Sequence, residues 1–337
     1  MLIVRVGIIG YGVAGRIFHG GLLRRTPSAE VVAVVTRNPD RRAQVAADFP
    51  EAVCRDDVGD MLGADQLDLA VVASPTAYHV DNALECLAFG VPVVVDKPMA
   101  TTAEQARRAA TTGVTVFQNR RWDSEFLTLR RLRDAGELGR VLRFESRFER
   151  WRPARSAGKW REELAPQQGG GTLLDLGSHL VDQALVLLGP VRSVYAEVFH
   201  RRGTPADDDV FLALHHDNEA VSQLSCGNLA GSPGPRFRVL GTQAAFVVDD
   251  LDGQEDALRA GRSPAEATAP AGRLHRGHGA VTDVVMDPGR WLDFYPAVLA
   301  AITTGSAMPV SPVDGVSVLE VLDAARASAA TGTVIRL

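Results

Sequence analysis

Lys97 is one of only two lysines in the 337-residue chain, the other being Lys159, although lysine and arginine together number 36. A sequence that uses arginine almost everywhere raises the question of why lysine stands there. A partly desolvated ammonium can give up and regain a proton, which a guanidinium cannot. Lys97 lies in Asp96-Lys97-Pro98, directly behind an apolar run at 91–95. A second proton-handling group is Asp175-Leu176-Gly177-Ser178-His179, with Asp182 one turn further on. Residues four apart share a helix face, and a carboxylate can tune and orient an imidazole whose ordinary pKa lies near neutrality. Lys97, Asp175 and His179 are therefore candidates for general acid–base work on a hydroxyl or carbonyl. The competing reading makes Lys97 an exposed strand-end charge. It makes His179 a satisfied core residue beside the stripe of Leu173, Leu176, Leu180, Ala184 and Leu187.

A cofactor would stand near Gly10-Tyr11-Gly12-Val13-Ala14-Gly15, which follows the first apolar run and opens a helical stretch. In that context G-x-G-x-x-G predicts dinucleotide binding. Gly10 makes the tight turn, Gly12 lets backbone approach a pyrophosphate, and Gly15 permits close helix–strand packing. The helix start presents free N–H groups and a positive dipole end, on which Val13 and Ala14 sit. At the end of the second strand, where an acid would hold a ribose 2′-hydroxyl, the sequence reads Val35-Thr36-Arg37-Asn38. A hydroxyl and a guanidinium there, with Arg41 near by, favour a 2′-phosphate and hence NADP(H) over NAD(H). Alternatively Arg37 is a solvated surface residue. Ser74, Pro75, Thr76 and His79 close another strand at the same edge and are candidate cofactor contacts, unless Pro75 only ends the strand and His79 only caps the next helix.

Near-continuous apolar strands at 4–9, 31–36, 69–74, 91–95 and 114–117 alternate with helical segments. That pattern predicts an α/β Rossmann domain, a doubly wound parallel sheet covered on both faces, over residues 1–120. Beyond it, residues 121–337 are expected to form a second α/β domain around a large open, mostly antiparallel sheet. Its expected strands lie at 140–149, 191–200, 210–216, 221–228, 236–240 and 245–249, with helices at 126–135, 173–188, 296–304 and 314–329. Residues 250–279 read as loop with a short helix.

Composition narrows the partners. The formal net charge of −5 argues against nucleic acid or an anionic membrane as the main partner. Three cysteines without a C-x-x-C pair argue against a disulfide framework or a metal site, and favour a reducing cytoplasm. No apolar run reaches membrane-spanning length.

Taken with Asn119-Arg120-Arg121-Trp122-Asp123, Trp160-Arg161, the run Gly169 to His179 and the run Gly253 to Arg262, these motifs resemble the glucose–fructose oxidoreductase/inositol dehydrogenase/MocA (Gfo/Idh/MocA) family. Within it they most resemble the NADP-dependent scyllo-inositol dehydrogenase branch. The resemblance implies hydride transfer at a secondary alcohol or carbonyl of a polyol or sugar such as scyllo-inositol or its inosose. It also implies catalytic roles for Lys97, Asp175 and His179, and a homodimer or homotetramer joined through the open sheet. Asn119, Trp160, Arg161 and Asp96 become candidate cofactor contacts, and Arg121 and Trp122 candidate substrate contacts. The two tryptophans and Arg121 and Arg161 serve equally well to build a domain interface. Asp96 is a departure, since the family motif begins with Glu and the shorter acid has less reach. Other readings are action on another aldose, an anhydro-sugar or an imine, and an idle NADP-binding regulator.

Overall fold

A computed structural model describes residues 3–155 and 158–337. The first sheet contains β1 (Val4–Ile9), β2 (Ala29–Val35), β3 (Val53–Arg55), β4 (Leu69–Val72), β5 (Val93–Asp96) and β6 (Val114–Phe117), in the order β3-β2-β1-β4-β5-β6. All of its pairings are parallel. Strands β4, β5 and β6 are buried along their whole length, the consequence of elements packed on both faces. The strand β3 escaped the sequence reading because it is three residues long and its Val53 is exposed at the sheet edge.

The strand order reverses between β1 and β4, so the chain leaves the sheet on opposite sides there. A crevice opens at the carboxyl ends. The exits of β1, β4 and β5 bring Gly10, Ser74 and Lys97 to this one edge.

The second sheet holds β7 (Val141–Glu149), β8 (Val191–Phe199), β9 (Asp209–His216), β10 (Val221–Gly227), β11 (Phe237–Gly241), β12 (Ala244–Val248), β13 (Gly272–Arg276), β14 (Val281–Val284) and β15 (Ile335–Arg336). Its order is β14-β13-β12-β11-β7-β10-β9-β8-β15. Only β7 and β10 pair in parallel; the other pairings are antiparallel. Buried and half-buried residues alternate along β9 and β10, as expected of a sheet with one face on a core. Two of these strands, β13 and β14, fall in or beside the stretch expected to be loop. Their sequences carry little apolar alternation, since only Leu274 of β13 is a deeply buried large apolar side chain and β14 is largely exposed.

Helix Pro312–Thr331 ties the sheets together. It packs on β8 and on helix Ala103–Ala109, where Asp323 accepts from Ala103 N at 2.8 Å and Arg326 donates to the Thr101 carbonyl at 2.9 Å. The helix expected at 173–188 is two elements. Its first turn, Leu173–Gly177, is π-helical and only Ser178–Leu188 is α-helical. Apolar periodicity cannot separate the two, and the wider turn changes which side chains align. Among the described residues no helix is long and apolar enough to cross a membrane.

Candidate active site

The loop after β1 is built by steric exclusion. Gly10 has φ +93°, and a Cβ there would lie 2.8 Å from the Ala73 carbonyl oxygen. A Cβ on Gly15 would lie 2.0 Å from the Gly10 carbonyl oxygen, so only glycine lets the helix start this close to the strand. At Gly12 the same construction meets nothing within 4 Å. The open space lies over the one glycine whose backbone a pyrophosphate would approach, so the loop fits a dinucleotide. Beneath it, the Tyr11 hydroxyl donates to Asp48 at 2.9 Å, and Arg16 holds the same carboxylate at 2.7 Å.

The end of β2 is cationic. Arg37 is exposed and is anchored by one nitrogen, Nε, which donates to the Asp56 carbonyl at 2.9 Å. Arg42 donates to the Thr36 carbonyl at 3.0 Å and pairs with Asp56 at 2.6 Å. Asn38 caps the next helix by accepting from Arg41 N at 3.0 Å. No carboxylate belongs to the strand end itself, and the guanidinium tip of Arg37 bonds to no described residue.

At the β4 exit, Ser74 Oγ accepts from Asn82 at 2.9 Å and Thr76 is buried. His79 is not available to a cofactor. Its ring nitrogens lie 2.8 Å from the Ser74 carbonyl and 2.9 Å from the Pro98 carbonyl, lacing the ends of β4 and β5 together.

Lys97 leaves β5 ahead of a cis Lys97–Pro98 bond. Its Nζ donates to the Asp175 carbonyl at 2.7 Å and to Asp175 Oδ1 at 3.0 Å. Arg161 stands 3.4 Å from the same carboxylate oxygen. Burial works against ionising Asp175, but Lys97 and Arg161 outweigh it and hold the carboxyl well below the usual range. Asp175 therefore faces Lys97 and not His179, a consequence of the π-turn that carries it. Neither ring nitrogen of His179 hydrogen-bonds to a described residue, and its Nδ1 is buried without a partner. Burial lowers the imidazole pKa far below its ordinary value. Lys97, Arg120, Arg236 and Arg150 push the same way, so the ring is neutral and has a lone pair to offer.

Asp96 is buried beside His19. His19 Nε2 lies 3.4 Å from it, and His19 Nδ1 is 2.7 Å from the Tyr295 hydroxyl. Burial opposes ionisation of Asp96, but His19, Lys97 and His79 together bring its pKa below the usual value. The sequence reading missed His19 because Tyr295 and Phe117, which enclose it, are remote in the chain.

These groups share a cleft of about 140 Å³. Its walls include Val13 and Ala14 of the glycine loop, Asp96, Lys97, Asn119, Arg161, Asp175 and His179, together with unanticipated Arg120, Arg150, Glu255 and Arg259. Trp160 is not a lining residue; it lies under the Arg161 guanidinium, 4.4 Å from its ring centre. Two expected substrate contacts are elsewhere. Arg121 pairs with Asp182 at 2.6 Å and Asp314 at 2.9 Å, lining a separate cavity of about 300 Å³ that contains neither Lys97 nor His179. Trp122 packs edge-on against Phe294 at 5.5 Å, and its carbonyl accepts from Arg290 N and Gln254. Their acidic and aromatic partners come from distant segments that no local pattern reveals.

Comparison with known proteins agrees with this architecture. Residues 4–115 match the oxidoreductase family with an NAD-binding Rossmann fold, and residues 126–247 match the GFO/IDH/MocA C-terminal domain. The chain is 33% identical to the scyllo-inositol 2-dehydrogenase (NADP(+)) IolW of Bacillus subtilis, over 99% of this chain and 96% of that one. It is 32% identical to the D-glucoside 3-dehydrogenase of Escherichia coli over 60% of this chain and 59% of that one. The solved structure of the oxidoreductase yvaA from Bacillus subtilis superposes with a TM-score of 0.92 at 32% identity, covering 100% of this chain and 99% of that one.

Proposed function

Since the chain belongs to the Gfo/Idh/MocA oxidoreductase family, we propose that it is an NADP-dependent dehydrogenase or reductase acting on a secondary alcohol or carbonyl of a polyol or sugar, scyllo-inositol and its inosose among the candidates. One observation carries this reading. A charged amine, Lys97, and a neutral, unpartnered imidazole, His179, line the same cleft as the glycine loop.

The bound nicotinamide would accept or return a hydride. The glycine loop would hold its pyrophosphate, and Thr36 and Arg37 would meet a 2′-phosphate. His179 takes the proton from the substrate hydroxyl, or returns it in reduction. Lys97 donates to the substrate oxygen as negative charge develops there. Asp175 aims that ammonium, a positioning role for Lys97 and not for His179. Arg161 screens Asp175 from the substrate.

The test is a panel of inositols, aldoses and keto-sugars with NADP(H) and NAD(H), read by nicotinamide absorbance, in the wild type and in Lys97→Met. Polyol- or sugar-dependent turnover with NADP(H) that is lost in the variant supports the reading. No turnover with any compound favours a regulator that only binds the cofactor. A homo-oligomer formed through the open face of the nine-stranded sheet belongs to the same reading, and light scattering in solution tests it.

A further inference from the structure

We propose that Arg150 is an anion-binding subsite of the reaction cleft, so that the preferred substrate is a sugar or polyol bearing a carboxylate. This rests on the dehydrogenase reading above and narrows its substrate class.

Arg150 follows β7 directly. Its backbone is pinned on both sides, Arg150 N donating to the Gly227 carbonyl at 2.9 Å and its own carbonyl accepting from Ala230 N at 3.0 Å. The side chain lines the cleft with Lys97, Asp175 and His179. Every other cation in that cleft has an acidic partner. Lys97 and Arg161 share Asp175, Arg120 pairs with Asp123 and Glu255, and Arg259 pairs with Glu255. The guanidinium of Arg150 makes no hydrogen bond or ion pair with any described residue.

It does not rest on a ring either. Arg161 stacks on Trp160, and Arg120 and Arg236 stack on Phe148, but Arg150 lies over no described aromatic. Burial pulls its pKa down and Arg152 and Arg120 add to the fall, while Asp175 and Glu255 offset part of it from beyond hydrogen-bond reach. A guanidinium carries five donors in a planar fork and no acceptor, so partial burial is unfavourable until an acceptor arrives. The fork matches a carboxylate in bidentate fashion.

A negative group could come from the substrate or from the cofactor diphosphate. Arg150 projects from the nine-stranded sheet, and its charge is felt by Asp175, His179 and the buried Cys226 behind them. That is the wall carrying the proton-handling residues. The diphosphate has its own cradle, the glycine loop opposite. The substrate is therefore the favoured source.

The experiment compares matched pairs, D-glucuronate against D-glucose and D-galacturonate against D-galactose, with NADP+ as oxidant. It uses wild type, Arg150→Gln and Arg150→Lys, with NADPH affinity measured separately by fluorescence. Wild type is expected to favour each uronate over its aldose by tenfold or more in kcat/KM. That ratio should fall at least tenfold in Arg150→Gln and less in Arg150→Lys, which keeps charge but loses the fork. A wild-type ratio at or below one overturns the proposal, as does a ratio unchanged in Arg150→Gln. A loss confined to NADPH affinity assigns Arg150 to the cofactor and also overturns it. Calorimetry of glucuronate binding to the NADPH complex separates the two readings. Arg150-dependent binding without turnover keeps the subsite and rejects the dehydrogenase. Absence of glucuronate binding rejects the subsite whatever the turnover of neutral sugars.

Discussion

The Lys97 ammonium donates to both the carbonyl and the carboxylate of Asp175, at 2.7 and 3.0 Å, across the junction between the parallel sheet and the helix that packs on the mixed sheet. This contact sets the direction of the amine. It also frees His179 from the carboxylate that its position in sequence suggested as a partner.

Replacing Asp175 with Asn keeps the shape and removes the charge. Lys97 then loses its ion pair, and a hydrogen bond to a charged group contributes about 1.5–3 kcal/mol. The expected result is a fall in kcat of about ten- to a hundredfold, with NADPH affinity within a factor of about three. Stopped-flow turnover and fluorescence titration check the two halves independently.

The pH profile distinguishes a buried imidazole from an ordinary one. Burial and four neighbouring cations hold the His179 pKa well below 6.5. A base with a lowered pKa stays unprotonated on the acid side of neutrality, so the acidic limb of kcat/KM should fall only well below pH 6.5. A limb centred near the ordinary imidazole value would show that His179 is not the base in the free enzyme.

Cofactor choice should turn on Arg37. At the end of β2, where an acid would hold a 2′-hydroxyl, its guanidinium tip bonds to no described residue. Arg37→Asp should lower the ratio of kcat/KM for NADP over NAD by roughly ten- to a hundredfold, the value of one charge-assisted bond. Measuring both cofactors at a fixed substrate level checks it.

The extent to which the sequence exposed this site follows from locality. The glycine loop and Asp96-Lys97-Pro98 were legible because a tight turn and a strand end are short-range features. Arg150 was one arginine among dozens, and its meaning depends on having no partner, which only the fold reveals. His19 needed Asp96 and Tyr295, and Arg121 was misplaced because Asp182 and Asp314 capture it from remote helices. Helical spacing suggested an Asp175–His179 pair, and a π-turn that periodicity cannot detect separated them.

A stability prediction comes from Glu125. Its carboxyl is fully buried and both oxygens lack hydrogen-bond partners. Burial raises its pKa well above 4.5, Asp123 and Asp252 add to the rise, and Arg236 offsets part of it. The folded state therefore holds a proton that the unfolded chain releases above that value. This contribution is fully present below about pH 4.5 and is lost as pH rises toward the elevated folded value. Glu125→Gln cannot ionise, so its stability relative to wild type should rise with pH across that window by up to about 1.4 kcal/mol per unit. Urea unfolding at several pH values checks the slope.

The central claim is that the amine and the imidazole serve one reaction in one cleft. A double-mutant cycle with Lys97→Met, His179→Gln and the combined variant tests it, with kcat followed on a turned-over polyol at saturating NADP+. Groups acting as a unit lose most of the rate on the first removal. Each single variant should therefore fall by about 10²–10⁴, and the double variant by at most another tenfold. Unchanged turnover in either single variant, or losses that simply multiply in the double, would contradict the account.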